Sequence, residues 1–155
     1  MSFREVHYQT ESDANLGQAG SYLSQVSAET ICLNSLQAAI EQKSLDVRGL
    51  DIRKLTDIAD YFVIASGTSD RHVKGIVDKI KLELRLSYNE LPVSIAGYEH
   101  GEWVVMDYGN VVIHVFYEPT RQYYLFDELW SRAEVIRLSP ELEREAKKLR
   151  TGIYR

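Results

Sequence analysis

Residues 102–117, EWVVMDYGNVVIHVFY, decide how the rest of the chain is read. Two apolar runs flank a Gly-Asn pair, and Gly109 supplies the positive φ that tight primed turns need, so the stretch predicts a β-hairpin turning at Gly109 and Asn110. This register sets Tyr108 opposite Val111 and Trp103 opposite Phe116. Because side chains alternate across a sheet, Val104, Met106, Tyr108, Val111, Ile113 and Val115 form an ordinary core face. The other face combines Trp103, Val105, Asp107, Val112, His114 and Phe116. An aromatic pair sharing a face with an acid and a histidine is the feature that any function must account for.

Upstream, DYFVIASG (60–67) is a continuous apolar run ending in glycine, as a strand buried on both faces would be. It leads into TSDRHVKGIVDKIKLELRL, where Val73, Ile76, Val77, Ile80 and Leu84 make one helical stripe behind Thr68, Ser69 or Asp70 as N-cap. Cys32, Leu36, Ala39 and Ile40 recur at helical spacing behind Ser27, and LDVRGLDI and PVSIAGY offer further strands. Downstream, Pro119 is placed to start the helix TRQYYLFDELW, and Ser139-Pro140 to open another that stops near Gly152. The order α-β-β-α-β-β-β-α-α predicts an α/β (α+β) chain of one domain, a mixed β-sheet flanked by helices. Residues 1–26 are polar and aperiodic and are expected to be a flexible extension, with Tyr8 and Tyr22 as docking points.

The net charge of −5 and isoelectric point near 5.4 argue against binding nucleic acid chiefly through phosphates and favour a basic protein partner. Cys32 is the lone cysteine, so neither an internal disulfide nor a cysteine zinc site is available. No stretch approaches the roughly 20 apolar residues of a membrane helix, and no signal-type segment opens the chain. The expected setting is the cytoplasm, with an organelle matrix or stroma as the alternative.

Several chemistries fail on residue types. IASGTSDRH resembles an anion-binding strand-to-helix turn but contains neither G-x-x-x-x-G-K-[ST] nor G-x-G-x-x-G, which leaves Arg71 and His72 facing solvent or a partner. Asp107 and His114 are diagonal neighbours across the hairpin, within reach of a hydrogen bond, yet no nucleophile or metal set accompanies them. Magnesium-dependent nucleotidyl transfer needs acids alternating along a strand, and position 105 is Val. Two readings of the mixed face remain: a binding patch, since Trp and Tyr concentrate binding energy and a rim acid selects a basic complement, or a structural face in which Trp103 and Phe116 lie under a helix and Asp107 ends the strand pattern.

Three blocks in this order, DYFVIASGTSDRHVKGIVDKI, GEWVVMDYGNVVIHVF and RQYYLFDELW, resemble the ribosomal silencing factor family, also called the Iojap family, over residues 28–132. The resemblance implies a nucleotidyltransferase-like core without catalytic acids, no cofactor or metal, and no enzymatic activity. It divides the chain into the extension at 1–26, a family domain at 27–132 and a helical tail at 133–155. It also implies a translation repressor that binds the large ribosomal subunit through ribosomal protein L-fourteen and blocks joining of the small subunit. Trp103, Val104, Val105, Asp107, Gly109, Asn110 and Val111 match the family motif W-[IV]-[VL]-x-D-x-G-[DN]-V. Arg121, Tyr123, Tyr124, Leu125, Leu129 and Trp130 match its helical block, of which Leu125, Leu129 and part of Trp130 are expected in the core. The implied partner-binding set is Trp103, Val105, Asp107, Tyr108, Gly109, Asn110, His114, Arg71 and Arg121, although the register puts Tyr108 on the opposite face. A divergent nucleotide-handling enzyme and a homodimeric scaffold are the alternatives.

Overall fold

The computed structural model describes residues 26–152; the expected extension, with Tyr8 and Tyr22, lies outside the described residues. Helix α1 (Ala28–Glu41) starts where Ser27 accepts the Thr30 amide at 3.1 Å. Strands β1 (Leu45–Asp51) and β2 (Tyr61–Gly67) follow, then α2 (Asp70–Tyr88), for which Ser69 is the cap, accepting from the His72 amide at 3.0 Å. Next come β3 (Ser94–Ala96), β4 (Trp103–Asp107) and β5 (Val111–Tyr117). The chain ends in α3 (Glu118–Tyr124), the single turn α4 (Phe126–Leu129), β6 (Glu134–Val135) and α5 (Pro140–Lys148), capped by Ser139.

The strands form one sheet in the order β3-β4-β5-β2-β1-β6, in which the β2–β5 pair is parallel and the others antiparallel. All of β2 is buried, as its unbroken apolar run requires. The α1–α2 layer covers one face, burying Val63, Ala65, Val104, Met106, Val111, Ile113 and Val115 against Leu36, Val73, Ile76, Ile80 and Leu84. A smaller cluster on the opposite face gathers Phe62, Ile64, Phe116 and Phe126 with Leu50 and Ile52. This second face is only partly roofed, by α3 and α4.

Two expectations change. The helix expected over TRQYYLFDELW breaks at Leu125, which takes φ 52 in the left-handed region. The break resets the helical phase, so Phe126 turns inward while Leu125 and Leu129 are 57% and 74% exposed instead of core. A left-handed leucine costs about 1–2 kcal/mol, which burial of the Phe126 ring offsets. The tail is also more than a helix: β6 pairs with β1, Ile136 and Leu138 pack on the larger core, and α5 lies against α1 and β1. Thr151 donates its amide (3.0 Å) and hydroxyl (2.8 Å) to the buried Asp46 carboxylate. Residues 133–152 therefore belong to the same packed body as 27–132.

Candidate functional site

The hairpin forms in the expected register, with Trp103 opposite Phe116, Val105 opposite His114 and Asp107 opposite Val112. Gly109 takes φ 89, and the Tyr108 amide donates to the Val111 carbonyl at 2.9 Å. Asp107, half-buried, accepts the Gly109 amide at 2.8 Å and so shapes the turn with its own carboxylate. The Asn110 carbonyl accepts the amides of Asp60 (2.8 Å) and Tyr61 (3.1 Å), tying the hairpin tip to the start of β2. The tip is therefore braced on both sides, which leaves Gly109 and the Asn110 side chain exposed in a set position.

His114 bonds along the other diagonal from the one expected. Its Nδ1 accepts the Trp103 Nε1–H at 3.2 Å, while Asp107 serves the turn. Sheet twist makes the two diagonals of a cross-strand pair unequal, and the long indole reaches where a short carboxylate does not. The Trp103 ring stacks on Phe116 (centroids 4.9 Å, 28° between planes) and contacts Phe126 at 5.8 Å and Tyr124 at 5.1 Å. His114 is 7% exposed between Phe62 (4.6 Å) and Phe126 (4.7 Å), and burial pulls its pKa down to about 3. The imidazole is thus a neutral acceptor.

Beyond this cluster the sheet face is open. Register places Ala96 beside Val105 and Ser94 beside Asp107, so the face runs from Ser94 and Ala96 through Val105 and Asp107 to Val112, with Trp103 at one end. Tyr124 and the 80% exposed Tyr123 stand along its edge. Together with Trp103 and the loop at His100–Glu102 they line a groove of about 550 Å³.

The structure separates the nine sequence-derived site residues. Trp103, Val105, Asp107, Gly109 and Asn110 share this face and its tip, with His114 buried beneath. Tyr108 is corrected: its ring packs on the α1–α2 side, its hydroxyl is buried without a partner, and burial next to Glu90 raises its pKa well above the usual phenol value. Arg121 is corrected as well, being 0% exposed and bound to Asp127, the Asp46 carbonyl and Ser66 Oγ, where no partner can reach it. Arg71 is exposed in the first turn of α2, next to Asp70, which lies against Gly101 of the 100–102 loop. Sequence reasoning passed over Val112 and Tyr124 as site residues. Alternation already placed Val112 on this face, whereas exposure of Tyr124 depends on the chain turning at Leu125.

The arrangement presents a surface that can bind. Asp107 shares β4 with Trp103 and Val105, and among the described residues no three of His, Cys, Asp and Glu gather as a metal set. Burial pushes the Cys32 thiol up to about 12, so it stays protonated and inert. The open face instead offers aromatic and aliphatic surface with an acid at its rim.

A family model described as "Ribosomal silencing factor during starvation" matches residues 25–152. The chain is 33% identical over 104 residues to "Ribosomal silencing factor RsfS" of Halalkalibacterium halodurans, covering 67% of this chain and 88% of that one. It is 32% identical over 93 residues to mouse "Mitochondrial assembly of ribosomal large subunit protein 1", covering 59% of this chain and 41% of the other. The crystal structure of a Chromobacterium violaceum protein superposes with a TM-score of 0.65 at 32% identity, over 68% of this chain and 88% of that chain.

Proposed function

The chain belongs to the ribosomal silencing factor family, and on that premise we propose that it represses translation by docking on ribosomal protein L-fourteen of the large subunit and obstructing the small subunit. Family membership itself is consistent with a ribosome-associated regulatory role. The observation that supports the finer reading is the open face between β3 and β5. There Trp103, Val105, Val112 and Tyr124 give the apolar and aromatic surface from which interface energy comes. Asp107, in a chain of net charge −5, selects a basic protein while disfavouring phosphate.

The mechanism is occupancy. A body of this length spans roughly 25 to 35 Å, so a copy seated on the joining face of the large subunit leaves the small subunit no room to close. Repression then follows the ratio of factor concentration to dissociation constant. The setting proposed is the cytoplasm, with an organelle matrix or stroma as the alternative; no helix among the described residues is long and apolar enough to cross a membrane.

Light scattering of separated subunits mixed with increasing protein tests this reading. Joining is expected to fall with dose, and preformed ribosomes are expected to resist because the site is covered. Binding to large subunits with joining unchanged in rate and yield would refute the steric mechanism.

A further inference from the structure

Trp103 is held on its face by Phe116 and at its nitrogen by His114. Accepting at Nδ1 requires the imidazole to carry its proton on Nε2, and Nε2 is buried with no hydrogen-bond partner. A hydrocarbon side chain would fill the same space between Phe62 and Phe126 without orphaning a polar atom. What the imidazole adds is an acceptor for the indole. Packing holds the indole from the inner side, by Phe116 and Phe126, while on the outer side Trp103 is half-buried and its neighbour Tyr124 is itself exposed.

We propose that His114 is a positioning residue for partner binding: through its Nδ1 it locks the Trp103 indole against Phe116, so that the partner meets an aromatic surface already in its bound orientation. An aromatic anchor ordered before contact loses less conformational freedom on association, and the gain appears as affinity. His114 touches no partner itself. The role rests on the reading of this face as the docking surface, and the experiment separates the two.

Trp103 and Trp130 are the chain's two tryptophans, so Trp130→Phe leaves Trp103 as the sole fluorescent indole. In that background His114→Leu removes the acceptor, while His114→Asn places an amide oxygen near the position of Nδ1. The readouts are Trp103 emission, its quenching by acrylamide, and co-sedimentation with isolated large ribosomal subunits. His114→Leu is expected to red-shift the emission, increase quenching and weaken binding about tenfold. His114→Asn should restore all three to within about threefold of the parent. With Trp103→Phe already present, His114→Leu should weaken binding no further, because the residue acts through the indole. Should His114→Leu fail to fold, His114→Phe removes the same acceptor and takes its place. Weakened binding by Trp103→Phe alongside unchanged binding by the acceptor-lacking variant overturns the positioning role alone. Unchanged binding by Trp103→Phe overturns the docking surface, and the positioning role with it.

Discussion

Arg121 and Asp127, on either side of the Leu125 break, are joined by two hydrogen bonds of 2.7 and 2.8 Å, with the guanidinium wholly buried. The remaining Nη1 donates to the Asp46 carbonyl (2.9 Å) and Ser66 Oγ (3.0 Å), so one side chain connects α3, α4, β1 and β2. Arg48 approaches the same carboxylate at 3.5 Å. Removing one partner of a buried pair strands the other, and Arg121→Met is expected to cost about 3 to 5 kcal/mol in denaturant unfolding. Arg121→Lys should recover little, because an ammonium cannot match the two-point geometry.

Acid should destabilise the protein through His114. Its folded pKa, about 3, lies below the unfolded value of 6.5, so the unfolded chain binds the proton more readily. Stability from this group is complete above pH 6.5 and is lost as pH falls toward 3, with a limiting slope of about 1.4 kcal/mol per pH unit. The groups facing the ring from β2, β4 and α4, namely Phe62, Trp103 and Phe126, carry no charge. Urea unfolding at intervals from pH 7 to 4 should give a flatter profile for His114→Asn than for the parent. Asp51, held below the usual carboxylate range by Arg53, adds its loss only at lower pH in both proteins.

Ending the chain at residue 132 should damage the core rather than trim an appendage. It removes the packing of Ile136, Leu138 and Ala146 and takes both Thr151 donors from the Asp46 carboxylate, which is 3% exposed. Thr151→Val, which deletes the hydroxyl donor alone, is expected to cost about 1 to 3 kcal/mol. The shortened chain is expected to show a loss well beyond that in thermal unfolding. Equal melting of the shortened and full chains would contradict the observed packing.

Asp107 is expected to act on binding by its charge and on the turn by its oxygen. Asp107→Asn keeps an acceptor for the Gly109 amide and should weaken large-subunit binding modestly. Asp107→Lys loses the acceptor and opposes a basic partner, and should weaken binding by about tenfold to a hundredfold, or ~1.4 to 2.7 kcal/mol. Tyr124→Ser should fall between them, with near-native circular dichroism because the side chain is exposed. Titration of labelled protein against large subunits ranks the three, and retained affinity in Asp107→Lys would remove the charged contact from the proposal.

Local pattern settled the hairpin. Period-two alternation and a Gly-Asn turn are short-range signals, and the register from Trp103–Phe116 to Asp107–Val112 followed from them directly. The caps at Ser27 and Ser139 were equally legible, while for α2 the sequence narrowed the cap to Thr68, Ser69 or Asp70 and the structure selects Ser69. The face carrying Trp103, Asp107 and His114 was therefore visible in the sequence as an anomaly before any packing was known.

Tertiary structure decided what that face became. Which diagonal His114 would bond depended on sheet twist and on the length of the indole, neither of which alternation encodes. Leu125 took a left-handed conformation because burying Phe126 and joining Arg121 to Asp127 outweighed its local cost. Arg121 itself read as a surface cation until Asp127, just past the Leu125 break, and Ser66 and the Asp46 carbonyl, far away in the chain, converged on it. Strand β6, two residues with no hydrophobic pattern, exists because β1 presents an unpaired edge. Each of these outcomes depends on packing between elements, and such contacts leave no periodic mark on the sequence.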